Sequence, residues 1–86
     1  MSDGTGRIIQ ATAGRDSGDV FFVMGQTTDG RLLLADGKRR KAARPKAKKL
    51  RHVRLFQQEF DHPVIQKLQQ GKPVSDRELR QALAAF

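Results

Sequence analysis

The chain contains no cysteine, no tryptophan and no tyrosine. Without cysteine, disulfides, zinc ribbons and thiol chemistry are excluded together. With no tryptophan or tyrosine, the only large aromatic side chains on which a base could stack are Phe21, Phe22, Phe56, Phe60 and Phe86. Each lies in or beside an apolar run, which assigns them to core packing. Long apolar stretches are missing too. No run approaches the roughly 18 residues of a membrane span. Met1 to Gly6 have neither the basic start nor the apolar core of a secretory leader, so the expected location is cytoplasmic.

Catalytic ingredients are equally scarce. Ser2, Ser17 and Ser75 fall in a tail, a turn and a cap. His52 and His62 have no clustered carboxylates to complete a metal site. No nucleophile stands with a base, and no paired carboxylates suggest a cleft. The chain is therefore not read as an enzyme, and no catalytic residue, metal or cofactor is expected. At 86 residues it is one small domain that buries roughly 60–65% of its unfolded surface. A large pocket walled by a second domain is not expected.

What the chain has in abundance is positive charge, a formal net of +8. Its distribution is uneven. Residues 1–37 carry three basic and five acidic side chains, and residues 55–86 carry four of each. Residues 38–54 carry ten basic side chains and no acid. The excess resides in one segment of an otherwise balanced protein, which implies a polyanionic partner.

Around that segment the chain reads as mainly β. Arg7–Thr12 is strand-like and is stopped by Ala13-Gly14-Arg15-Asp16-Ser17-Gly18-Asp19, whose glycines, aspartates and serine are loop residues. Val20–Met24 is apolar throughout, Thr28-Asp29-Gly30 is a hairpin turn, and Arg31–Ala35 is a third strand. Asp36-Gly37 repeats the turn signal, so a fourth strand is predicted from Lys38 to Pro45. A fifth, His52–Phe56, follows a loose basic connection over 45–50. Five short strands with tight turns suggest a small barrel or strongly bent sheet. Strands two and three are apolar on both faces and need an outer cover. Two short C-terminal helices supply it. Pro63 opens the first, Val64, Ile65 and Leu68 form its stripe, and Gly71 ends it. Ser75 and Glu78 make a capping box for the second, Val74 and Leu79 a hydrophobic staple, and Leu79, Ala82, Leu83 and Phe86 its apolar face.

Gly6-Arg7-Ile8-Ile9, Ala13-Gly14-Arg15-Asp16-Ser17-Gly18, Phe21-Phe22-Val23 and Asp36-Gly37-Lys38-Arg39-Arg40-Lys41, in that order, resemble a KOW motif. In particular the chain is similar to bacterial KOW-domain RNA-binding proteins, relatives of KOW-bearing eukaryotic-type proteins of the large ribosomal subunit. The resemblance spans Gly6 to Phe56. It implies an SH3-like barrel over 6–56 that includes the basic segment; residues 1–5 are read from their polarity as flexible, and the helical extension over 57–86 lies outside the motif. It also implies that the loop Ala13–Asp19 and the run after Asp36-Gly37 face RNA.

The expected RNA-binding residues are Arg15, then Lys38, Arg39, Arg40 and Lys41, then Arg44, Lys46, Lys48, Lys49, Arg51 and Arg54. Cations at this density displace the counterions of a phosphate backbone, and arginine can grip a phosphate with two parallel N–H bonds. His52 joins that face when protonated. The Gly14–Gly18 loop has two readings, an anion-binding nest carrying Arg15 or a plain hairpin connection in which Asp16 caps the turn. With no tyrosine or tryptophan, contacts to phosphate, ribose and RNA shape are expected to dominate over base stacking. The leading expectation is therefore a monomeric RNA-binding protein with ribosomal RNA as partner, acting in translation or ribosome association, with no membrane contact. The alternative is a protein-interaction module that docks the barrel or the Leu79, Leu83 and Phe86 stripe onto a ribosomal protein or RNA polymerase.

Overall fold

The computed structural model describes residues 4–56 and 62–86. Phe60, assigned above to the core, lies outside them. Five strands, β1 (Ile8–Ala11), β2 (Val20–Gln26), β3 (Leu32–Ala35), β4 (Lys46–Lys48) and β5 (Val53–Leu55), precede helices α1 (Pro63–Gln69) and α2 (Asp76–Leu83). The strands form one antiparallel sheet in the order β4-β3-β2-β1-β5. The edge strands β4 and β5 are consecutive, joined through a single 3₁₀ turn at Leu50–His52. In a flat sheet they would stand about 19 Å apart, four strand spacings. A connection with one 3₁₀ turn spans roughly 13 Å. The sheet must therefore curl, which is the barrel-like shape the turn spacing implied.

Strand alternation divides the apolar residues between two faces. Ile9, Ala11, Phe21, Val23, Leu32 and Leu34 close one buried cluster, with Val53 packed against it. Ile8, Phe22 and Ala35 point the other way and are covered by Val64 and Leu68 of α1 and by Leu79 and Ala82 of α2. Phe22 and Leu79 are fully buried. Removing the helices would return Phe22 and Ile8 to water, at roughly 1.5–3 kcal/mol for each large side chain. The helices are thus part of the core rather than an appendage. An extra residue, Met24, bulges β2 between the Val23–Leu34 and Gly25–Leu33 pairs, which adds local bend.

The helix boundaries follow their caps. His62 Nδ1 accepts the Val64 N–H, and Pro63 occupies the first turn. Gly71, at φ +73°, ends α1: the Lys72 N–H bonds the Lys67 carbonyl and the Gly71 N–H bonds that of Leu68. That is the paired closure a left-handed residue after a helix permits. At α2 the Ser75 hydroxyl accepts the Glu78 N–H, and the Glu78 carboxylate accepts the Ser75 N–H. Val74 and Leu79 share one cluster, as a staple requires.

The fourth strand is a correction. No strand runs from Lys38 to Pro45; turns occupy that segment, and β4 is Lys46–Lys48, inside the connection expected to be loose. The cause is Asp36, whose Oδ1 accepts the N–H groups of both Lys38 (2.9 Å) and Arg40 (3.0 Å). The Asp36 and Gly37 N–H groups both bond the Arg40 carbonyl. An aspartate that binds its own following backbone holds the chain in a turn and delays the strand.

Candidate nucleic-acid interface

The basic run begins in a loop that is fastened to α2. Arg80 donates from Nη1 to the Gly37 carbonyl at 2.7 Å, and the Ala42 N–H donates to Asp76 Oδ1 at 2.7 Å. A Cβ at Gly37 would stand 2.2 Å from the Asp76 carbonyl oxygen, so only glycine fits where the loop meets the helix. Ala42 packs on the helix-side cluster. With its backbone anchored at both points, the loop leaves Lys38, Arg39, Lys41 and Arg44 exposed.

Two of the expected RNA-binding cations turn inward. Asp16, only 2% exposed, accepts from Arg40 Nη2 at 3.0 Å and stands 3.6 Å from Lys48 Nζ. Lys48 is 9% exposed, and its ammonium lies under the first hairpin loop, against Gly14. Burial raises the Asp16 carboxyl, but the hydrogen bond and charge of Arg40, joined by Lys48, outweigh it and hold the group below the usual carboxylate range. The second Asp16 oxygen and Arg40 Nε are buried without a hydrogen-bond partner, so the pair is a single charged bond rather than a two-bond fork. Of the two readings of this loop, the hairpin one holds for its glycines, since Gly14 (φ +80°) and Gly18 (φ +92°) supply the turn angles. The Asp16 carboxylate, rather than capping the turn, clamps the loop to the basic segment through Arg40 and Lys48.

The remaining cations spread along the chain's path. The loop over 36–44 lies at one end of β3. Strand β4 then runs antiparallel to β3, pairing Lys46 with Leu34 and Lys48 with Leu32, so Lys49 emerges at the other end, beside Arg31. Arg31, Lys49, Leu50 and Arg51 line one shallow hollow, and Arg31, Lys46, Lys49 and His52 line the next. Arg54 donates to Gln10 Oε1 at 3.0 Å across the β1–β5 pair. Arg39 is 3.8 Å from Asp19 with both groups exposed, an ion pair of little strength. Among the described residues, Arg15, Lys38, Arg44, Lys46, Lys49 and Arg51 make no ion pair.

Sequence reasoning missed Arg31, which lies outside the basic run; only the register of β3 against β4 reveals it. It also missed Asp16 as an inward anion, because a lone Asp between glycines reads as a turn residue. The aromatic expectations divide. Phe21 and Phe22 are buried, whereas Phe86 is 38% exposed and packs against Phe56 with ring centroids 5.5 Å apart. Of the C-terminal apolar stripe, Leu79 and Ala82 are buried against the core, Leu83 is half-buried, and Phe86, beyond the end of α2, is exposed. No helix among the described residues is long and apolar enough to cross a membrane.

No family model matches the chain. No curated protein sequence matches it either. The arrangement can hold several phosphates at once: exposed, unneutralised cations stand on a backbone fixed by β4 pairing and by the Gly37–α2 contact.

Proposed function

We propose that the chain binds structured RNA through the exposed cations of its basic segment and adjoining barrel loops, acting in the cytoplasm in translation or ribosome association and without catalysis. One observation carries the reading. Lys38, Lys41, Arg44, Lys46, Lys49 and Arg51 are exposed, free of carboxylate partners among the described residues, and attached to ordered strand and turn. A solubilising tail has no need of such anchoring. The resemblance to KOW modules supports the choice of RNA over other polyanions. DNA is the weaker partner, since neither helix carries the basic face that enters a major groove.

The test is binding to a structured ribosomal RNA fragment and to duplex DNA of equal length over a salt series. Roughly five to seven phosphate contacts give a log–log slope of about −3 to −5. The expected outcome is a preference for RNA with that slope. Neutralising Lys38, Arg39 and Lys41 together, with Arg40 kept for Asp16, makes the slope shallower by about 2. Unchanged affinity in the folded triple variant overturns the proposal, and equal binding to DNA reduces it to general polyanion binding.

A further inference from the structure

The 3₁₀ turn between β4 and β5 carries Leu50 at its start, 59% exposed, more than any other large apolar residue among those described. Single exposed leucines are ordinary. This one is set apart by its surroundings. Lys49 and Arg51 flank it, and Arg31 faces it across the hollow of about 420 Å³ that the four share. Lys46 and His52 line the adjoining hollow. Asp29 lines the same hollow and pairs with Arg31 at 3.2 Å while also accepting from Thr27, which leaves Lys49 and Arg51 as the hollow's cations without a carboxylate partner among the described residues. The turn contributes no buried residue to the fold.

We infer that Leu50 is an apolar wedge for an unstacked nucleotide, with Lys49 and Arg51 holding the phosphates on either side; this rests on the RNA reading above. The chemistry separates the two functions. Cations contact phosphates anywhere on a duplex and so do not distinguish one site from another. A leucine gains only where a base face or a splayed ribose is open to it. In continuous A-form helix the bases are stacked and the major groove is too deep and narrow for side chains. Wedge residues that enter a base step must offset the lost stacking, and that cost is least where the stack is already broken. The expected target is therefore helical RNA interrupted by a bulge or internal loop, with phosphates close on both sides of the open step.

The experiment uses two RNA hairpins of the same length, one fully paired and one with a single bulged 2-aminopurine. Binding to each is measured for the wild-type chain, for Leu50→Gln and for the Lys49→Gln, Arg51→Gln pair. Wild type should prefer the bulged hairpin by roughly five- to tenfold, about what burial of the exposed part of a leucine contributes. It should also change the 2-aminopurine fluorescence. Leu50→Gln should bring the preference close to one and abolish the fluorescence change, with the salt slope intact. The double charge variant should weaken both RNAs alike, keep the preference and make the slope shallower by roughly 1–2. Equal binding of both hairpins by wild type, or a preference that survives Leu50→Gln, overturns the wedge and leaves the RNA reading standing. Failure of wild type to bind either hairpin removes both. Because Leu50 is exposed, matching thermal unfolding of Leu50→Gln and wild type verifies that the comparison is between folded proteins.

Discussion

Asp16→Asn tests how far one buried carboxylate organises the basic segment. The substitution preserves shape and removes the charge that Arg40 (3.0 Å) and Lys48 (3.6 Å) share. The two cations then differ in what they lose. The Arg40 side chain is 30% exposed and recovers part of its solvation from water. Lys48 is 9% exposed and cannot, so it becomes a buried ammonium with no counter-charge. A lost charged hydrogen bond costs about 1.5–3 kcal/mol. Stranding one member of a buried pair costs up to roughly 3–5 kcal/mol. Partial exposure of Arg40 argues for the lower range, so the expected loss is about 2–4 kcal/mol. Against a total stability of roughly 4–13 kcal/mol for a chain of this length, that is a large fraction.

Urea denaturation at pH 7 measures it. The expected midpoint falls by about 2 M with an unchanged slope. Adding Lys48→Met, which keeps the aliphatic stem and deletes the stranded charge, should recover at least about 1 kcal/mol of the loss. The pH dependence has a fixed sign. Asp16 is held below the usual carboxylate range in the folded state. Its stabilisation is therefore complete above the ordinary carboxylate pKa of about 3.9 and is lost as pH falls through the lower, folded value. The gap between wild type and Asp16→Asn should stay constant from pH 7 to about 5 and close in the acid range below about 4. A loss under about 1 kcal/mol at pH 7, or no recovery from Lys48→Met, would refute the clamp.

Three further substitutions probe the supports of the same surface. Gly37→Ala places a Cβ 2.2 Å from the Asp76 carbonyl at φ +78°, whereas Gly18→Ala, at φ +92°, meets nothing within 4 Å. Gly37→Ala should cost more than about 3 kcal/mol and Gly18→Ala only about 1–2 kcal/mol, compared by urea midpoints. Ser75→Ala removes the hydroxyl that accepts the Glu78 N–H and should cost about 1 kcal/mol in thermal unfolding followed by circular dichroism.

The elements that were legible in the sequence are those written in local chemistry. Pro63 and Gly71 bracket α1, and Ser75 with Glu78 opens α2, because caps act within three residues and depend little on tertiary context. The two-faced apolar pattern of Val20–Met24 demanded a cover, and the helices provide it. The fourth strand was misplaced because Asp36-Gly37 announces a turn without fixing its length. Asp36 extends that turn by binding the Lys38 and Arg40 N–H groups, and Gly37 ties it to Asp76. Ala42 and Ala43 are poor strand formers, and one of them packs beneath α2 instead. The signal was present in those alanines, but the contact that explains it lies thirty-four residues away in Asp76.

The candidate site shows the same limit with a sharper consequence. A run of ten cations counts as one patch in the sequence, yet its members are not equivalent once folded. Lys48 lies on the same strand face as the exposed Lys46, so the strand period does not separate them; Lys48 is buried because Asp16, under the first hairpin loop, stands beside its ammonium. A phosphate arriving at the surface cannot replace Asp16 at so buried an ammonium. Arg40 is bound to the same carboxylate and contributes chiefly to holding the loops together. Neutralising Lys48 or Arg40 should therefore lower stability more than it lowers the salt dependence of binding. Neutralising Lys46 or Lys49, their exposed neighbours, should do the reverse. A charge run is thus a reservoir from which tertiary contacts select: Asp16 draws Arg40 and Lys48 in to hold the loops together, and most of the others stay exposed.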